Sequence, residues 1–262
     1  MKTLIVQGIT RSDLHPSEVS EFYIPCMKSV KQWAEARGYD YKAYSNAIEE
    51  EDYGQLLGIE VDRAANNRFY KFQWMSGHTN YDRIVWVDAD IWVWGDPDPL
   101  GDEWFCCPII FRDHQPSWMT LDGMPWRRPN FGLFWGSSEG VEDWCTVGRS
   151  RLHNPESRGD CTNYLLIRHR WAEGYNYTID DEWFSSEWLH DNQHRVRQIR
   201  CEAGWDYGTG ECDWYINWPN VPTPNSFIHL AGPKKQQKFL QLKLFFEINK
   251  QPNLPTGTLF DS

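Results

Sequence analysis

Residues 81–90 of this chain read YDRIVWVDAD, an apolar run that ends in two carboxylates separated by one small residue. Every position from Ile84 to Val87 is apolar, which is typical of a strand covered on both faces in a parallel sheet. Residues i and i+2 of an extended chain face the same side, so Asp88 and Asp90 can converge on one ion beyond the strand. Open α/β sheets bind ligands at that edge, and carboxylate oxygens suit Mg²⁺ or Mn²⁺. The alternative is a strand followed by an acidic turn, but the apolar run before the carboxylates favours a metal site.

The segments on the N-terminal side of this motif predict alternating strands and helices. Residues 2–7 and 39–44 have the pattern of short strands. Residues 16–37 carry apolar side chains every three or four positions, which predicts a helix, and residues 62–76 predict another. Followed by a strand at 83–87, this order favours an α/β sandwich with a central mixed, mostly parallel sheet.

The second half is less regular. It predicts strands at 131–136, 175–179 and 227–230 and helices at 139–149, 161–174, 181–190 and 236–249. No repeat, low-complexity tract or long linker interrupts the chain, so we expect residues 1–262 to form a single domain.

Composition and charge exclude several classes of protein. Apolar residues make up 40% of the chain, enough for a sizeable core, and the net charge of −11 excludes a uniformly basic nucleic-acid-binding surface. No apolar run approaches the roughly 18 residues that span a bilayer, and the first residues turn polar too soon for a signal peptide. We therefore expect a cytoplasmic protein of bacterial or viral type.

Seven cysteines without C-x-x-C spacing indicate free thiols.

A second motif lies near the C-terminus, where residues 227–235 read FIHLAGPKK. A short apolar run delivers an imidazole, then a glycine that lets the backbone approach a ligand, then two cations. His229 is therefore a candidate third metal ligand, and a neighbouring lysine is a candidate partner for a diphosphate. The alternative is a partly buried histidine before a basic helix start.

Together these residues resemble the GT-A glycosyltransferases of the retaining type, namely the glycogenin-like enzymes and the related α-galactosyl- and α-mannosyltransferases. The resemblance spans nearly the whole chain. It rests on four elements in order: Asp88-x-Asp90, Asn130-Phe131-Gly132, Asp181-Glu182 and His229-x-x-Gly232-x-x-Lys235.

The resemblance implies a role for each matching residue. Asp88, Asp90 and His229 would hold Mn²⁺, or Mg²⁺, on the diphosphate of a nucleotide sugar, most simply a UDP-sugar. Residues 1–111 would form the nucleotide-sugar and metal half, and residues 112–262 would form the acceptor half with the metal histidine and a closing helix. The residues implied to contact the donor are Gly8, Thr10, Arg68 or Lys71, Ala89, Asn130, Gly132, Gly232 and Lys235.

The resemblance also implies an acidic pair on the sugar side. Asp181 and Glu182 match its position, although family members mostly have Asp-Gln there. Asp160 is a competing candidate, and Asp181 is alternatively a helix N-cap.

The function that the resemblance implies is metal-dependent transfer of a hexose from a nucleotide sugar to an acceptor hydroxyl, with retention. A glycan is the default acceptor. Residues 112–200 hold 11 Arg and no Lys, which leaves a hydroxymethylated pyrimidine in phage DNA as an alternative acceptor. A non-catalytic carbohydrate-binding module is the alternative from another class, favoured by the 16 Trp.

Overall fold

The computed structural model describes residues 1–9, 19–45, 71–110, 120–121, 124–125, 128–129, 131–153, 188–189, 191–200, 214–218, 224–231 and 234–248. The strands in these ranges are β1 Thr3–Ile9, β2 Asp40–Ser45, β3 Arg83–Val87, β4 Ile91–Trp94, β5 Phe105–Ile110, β6 Thr120–Leu121, β7 Met124–Pro125, β8 Arg128–Pro129, β9 Leu133–Ser137, β10 Val196–Arg200, β11 Tyr215–Asn217 and β12 Ser226–His229. The helices are α1 Ile24–Ala36, which follows a π-helical turn at Val19–Tyr23, α2 Ser138–His153 and α3 Lys235–Ile248. Residues 71–74 are also helical.

The central sheet has the mixed, α/β arrangement that the sequence predicts. In the described part of the chain its order is β10-β5-β9-β3-β1-β2, and β8 pairs with β5. Strand β1 runs parallel to β2 and β3, and β10 runs parallel to β5. Strand β9 lies antiparallel between β3 and β5.

Strand β3 is buried on both faces, as its apolar run predicts. Ile84 and Trp86 pack in a cluster with Trp144 of α2, whereas Val85 and Val87 pack on the opposite face in a cluster with side chains of α1. The strand period of two sends alternate side chains to opposite faces, so an unbroken apolar run requires a layer on each side. The prediction of an α/β sandwich is confirmed.

Most predicted elements in the described ranges are confirmed within a few residues. The first helix ends where Gly38 takes a positive φ of 68°, a conformation that glycine adopts without steric cost. The predicted helix at 161–174, the strand at 175–179 and most of the helices at 62–76 and 181–190 lie outside the described residues.

A second, smaller sheet of β11, β12 and β4 was not expected. Strand β12 runs antiparallel to β4, which places His229 opposite Ile91. Strand β4 has only four residues and directly follows the acidic motif, so it is too short for a periodicity to identify.

Strand β5 was not predicted either. It contains Pro108, and a proline ordinarily argues against a central strand. The pairing of β5 explains how it is accommodated. On one side of β5, β9 pairs with Phe105 and Cys106 and β8 pairs with Ile109 and Ile110, so neither strand is paired with the proline. On the other side, β10 places Ile199 opposite Pro108.

The described cysteines confirm the expectation of free thiols. Cys26, Cys106, Cys107 and Cys145 are buried and unbridged, and burial raises the pKa of each. Such thiols act as small apolar core residues.

None of the helices within the described ranges combines the length and the apolar character needed to cross a membrane.

Candidate metal centre

The turn that follows β3 and carries the acidic motif is fixed by backbone contacts. The Asp88 N–H donates to the Gly132 carbonyl at 2.6 Å, and the Ile91 N–H donates to the Asp88 carbonyl at 3.1 Å, which closes a tight turn into β4. The buried Gln7 side chain of β1 also donates to the Asp88 carbonyl at 3.2 Å. The turn is therefore anchored by the neighbouring strands.

The small sheet delivers the histidine to this turn. His229 is the last residue of β12 and pairs with Ile91, the first residue of β4. The following N–H, from Leu230, donates to the Asp90 carbonyl at 3.0 Å. The imidazole therefore lies beside the carboxylates because two short strands pair in register.

Three potential ligand atoms converge here. Asp88, Asp90 and His229 each offer one atom within 4.8 Å of the others. The His229 Nε2 atom lies 3.4 Å from Asp90 Oδ1 and 4.0 Å from Asp88 Oδ2. Asp90 and His229 are buried, and Asp88 is partly exposed, so the group opens toward solvent on the Asp88 side.

The other oxygen of each carboxylate is held by a cation. Asp88 Oδ1 accepts from Trp86 Nε1 at 2.6 Å and pairs with Lys71 Nζ at 3.0 Å. Asp90 Oδ2 pairs with Lys235 Nζ at 2.6 Å. One oxygen of each carboxylate is thus committed to the protein, while the other faces the imidazole.

Charge pairing keeps Asp90 ionised despite its burial. Burial alone would raise its pKa, but the attraction of Lys235 and then of His229 outweighs that effect and holds the pKa well below its usual range. Burial works against the charge of Lys235 as well, yet Asp90 raises the Lys235 pKa. The site is therefore built from charged groups that stabilise one another.

The far side of the imidazole is also engaged. The Tyr215 hydroxyl lies 2.8 Å from His229 Nδ1. This contact leaves Nε2 as the ring nitrogen that faces the carboxylates.

Some of the residues predicted to contact the nucleotide sugar lie in the described ranges, and they are found around this centre. The Lys71 ammonium is held within the protein, where it pairs with Asp88 and donates to the Phe131 carbonyl at 3.0 Å. Gly132 supplies the carbonyl that anchors the turn.

Gly8 and Ala89 flank the same edge of the sheet. Gly8 lies in β1, where a β-carbon would fall 1.8 Å from the Trp74 ring, so its small size makes room for that indole. Ala89 is buried in a small cluster with Ile9 and Met27.

Several predicted residues lie outside the described ranges. They are Thr10, Arg68, Asn130, Asp160, Asp181, Glu182 and Gly232. Their roles stay predictions.

Sequence reasoning missed three contributors to the site, namely Gln7, Trp86 and Tyr215. Trp86 lies two residues before Asp88, and residues two apart in a strand face the same side, so the sequence could have predicted its contact with Asp88. Gln7 and Tyr215 reach the site only through strand pairing, and nothing in their local sequence marks them.

Known structures share the fold that carries this site. No protein-family model and no curated protein matches the sequence. Among solved structures, the chain is similar to a glycosyltransferase involved in glycosylation of the major capsid of PBCV-1, with 12% identity and a TM-score of 0.50 over 93% of this chain and 100% of the other. It is also similar to the galactosyltransferase LgtC in complex with donor and acceptor sugar analogues, with 11% identity and a TM-score of 0.51 over 96% and 97% of the two chains. An active-site mutant of LgtC matches with 12% identity and a TM-score of 0.50 over the same shares. The chain therefore has the GT-A fold of these glycosyltransferases, as the sequence motifs implied.

Proposed function

We propose that this chain is a metal-dependent glycosyltransferase that moves a hexose from a UDP-sugar to a hydroxyl of a glycan acceptor, with retention. The observation that carries the proposal is the convergence of Asp88, Asp90 and His229 at the carboxyl edge of a GT-A sheet. The LgtC structure, a galactosyltransferase with donor and acceptor sugar analogues, supports the choice of a hexose and a glycan.

The donor set of the site fits a divalent ion. Two carboxylate oxygens suit Mg²⁺ or Mn²⁺, and an imidazole nitrogen shifts the preference toward the transition metal. Charge supports the same conclusion. Two lysines offset the two carboxylates, so a dication would leave the site with an excess charge of about +2 when the imidazole is neutral, which complements a diphosphate.

A metal held by these residues would stabilise the negative charge that develops on the departing nucleoside diphosphate. The chain's own contribution is to fix the ligands before the donor arrives. Lys71 and Trp86 hold one oxygen of Asp88, and Lys235 holds one oxygen of Asp90. Preorganised charges of this kind need little rearrangement during the reaction.

Lys235 is the residue of this group best placed to meet the diphosphate as well. Its side chain is 35% exposed although its ammonium contacts buried Asp90. On the sugar side, we propose Asp181 as the carboxylate that stabilises the cationic anomeric carbon, with Glu182 beside it.

The test is release of nucleoside diphosphate from a panel of nucleotide sugars in Mn²⁺, in Mg²⁺ and in excess chelator. We expect turnover of a UDP-hexose that the chelator abolishes and that Asp90→Asn reduces at least ~100-fold. The matched control is Asp102→Asn, an exposed carboxylate beside Gly101, whose carbonyl contacts Arg83 at the opposite end of β3.

Three outcomes would contradict parts of the proposal. Full turnover in chelator would remove the metal from the mechanism. Sugar binding without turnover of any nucleotide sugar would indicate a carbohydrate-binding module. Transfer to hydroxymethylated DNA with a steep salt dependence, and none to oligosaccharides, would replace the glycan acceptor with DNA.

A further inference from the structure

Tyr215 makes a polar contact at the centre that no part of the proposed reaction uses. It lies on β11, is 1% exposed, and places its hydroxyl 2.8 Å from His229 Nδ1. Strand β11 pairs in parallel with β12, the strand that ends in His229. The phenol and the imidazole are therefore held by the same pair of strands.

The hydrogen bond decides which ring nitrogen can coordinate a metal. A neutral imidazole carries one N–H, and the other nitrogen has the lone pair. When Nδ1–H donates to the phenol oxygen, the Nε2 lone pair faces Asp88 and Asp90. In the other tautomer, the phenol donates to Nδ1 and the Nε2–H points at Asp90 Oδ1, 3.4 Å away.

A hydroxyl is suited to both tautomers because it donates and accepts. In the metal-free site, Nε2–H can bond to Asp90. When a metal occupies the site, the same hydroxyl can accept the proton at Nδ1. A backbone carbonyl in this place would accept only, and an aliphatic side chain would leave Nδ1 without this partner.

We propose that Tyr215 is a positioning residue for the metal centre: its hydroxyl accepts from His229 Nδ1–H, fixes the ring and directs the Nε2 lone pair at the ion. The inference rests on the proposed function, since it assumes that the Asp88, Asp90 and His229 group binds a divalent metal. Partners in this position commonly change metal affinity by about 10- to 100-fold.

The variant that tests the inference is Tyr215→Phe, which removes one oxygen and keeps the buried ring. We would measure the dissociation constant of Mn²⁺ by electron paramagnetic resonance of the free ion, without any nucleotide sugar. The expected result is an increase of about 10- to 100-fold. The matched control is Tyr39→Phe, which removes a hydroxyl that contacts Arg83, the first residue of β3, and should leave the dissociation constant within about twofold.

A double variant separates positioning from a general structural effect. If Tyr215 acts through His229, then Tyr215→Phe should change Mn²⁺ affinity less than about twofold in a His229→Ala background. At an Mg²⁺ concentration that just saturates the wild type, nitrogen-15 spectra should show His229 protonated at Nδ1. In Tyr215→Phe the weaker site is only partly filled at that concentration, so the spectra should show a mixture of tautomers. A folded Tyr215→Phe protein with wild-type Mn²⁺ affinity, or an equal loss with and without His229, would overturn the inference.

The metal measurement and the turnover measurement answer different questions. If the wild type binds Mn²⁺ and Tyr215→Phe weakens binding, the inference stands even when no nucleotide sugar is turned over. If the wild type turns over a nucleotide sugar without binding Mn²⁺, the inference fails while sugar transfer survives.

Discussion

Replacing Lys235 with methionine should destabilise the metal-free protein by about 2–3 kcal/mol. Methionine keeps most of the aliphatic stem but removes the ammonium that lies 2.6 Å from Asp90 Oδ2. Asp90 is 3% exposed, so the substitution leaves a buried carboxylate with one cation fewer. Breaking a buried ion pair from one side costs about 3–5 kcal/mol. We take a smaller value because the Lys235 side chain is 35% exposed, which lets water screen part of the interaction.

A double-mutant cycle measures the pair itself. Asp90→Asn removes the charge that Lys235 compensates, so Lys235→Met should cost less than about 1 kcal/mol in that background. The assay is urea unfolding followed by tryptophan fluorescence in excess chelator. Lys31→Met is the matched control, because Lys31 and Glu35 form an exposed pair at 3.7 Å on α1 that should contribute less than about 0.5 kcal/mol.

Mn²⁺ provides a second test of the same argument. A ligand that binds only the folded state stabilises it by mass action. A dication also supplies the positive charge that Lys235→Met removes, so saturating Mn²⁺ should raise the unfolding midpoint of the variant more than that of the wild type. If the two substitutions add to within about 0.5 kcal/mol in chelator, Lys235 does not stabilise Asp90 and the reasoning is refuted.

Three further predictions rest on the described geometry, and a fourth rests on the family resemblance of the sequence. Gly8→Ala should cost about 1–3 kcal/mol, since the new methyl group overlaps the Trp74 ring, which is stacked between two other aromatic rings; an unchanged thermal midpoint would contradict this. Burial lowers the pKa of His78 more than its bond to the Trp74 carbonyl raises it, so the contribution of His78 to stability is present above about pH 6.5 and is lost as the pH falls. His78→Gln should therefore make the unfolding midpoint depend less on pH between about pH 7.5 and 5, and an unchanged pH dependence would show that His78 is not its source. Ca²⁺ should support little turnover beside Mn²⁺, since a lysine holds one oxygen of each carboxylate and disfavours the bidentate coordination that Ca²⁺ often uses; equal turnover rates with the two ions would be inconsistent with that constraint. Asp181→Asn should depress turnover strongly while donor affinity stays within a few-fold; wild-type turnover in this variant, with none in Asp160→Asn, would move the sugar-side acid to residue 160.

The parts of the fold that the sequence could predict are those with a strong local period. Residues 83–87 form a strand buried on both faces, and the carboxylates after it lie at the sheet edge, because apolar alternation and strand geometry are local properties. Strand β5 was not predictable in the same way. Its Pro108 lies between the residues that pair with β9 and those that pair with β8, and such pairing depends on the rest of the sheet.

The orientation of the carboxylates in the site is a second feature that the sequence does not predict. The motif of Asp88, Asp90 and His229 predicts which residue types converge, but it does not predict which oxygen of each carboxylate faces inward. That choice depends on Lys71 and Lys235, which reach the turn from separate helical segments. The resemblance implied contacts to the donor for Lys235 and for either Arg68 or Lys71. The structure adds that each first restrains a carboxylate, and this explains how a site with two neighbouring negative charges keeps one geometry before any metal binds.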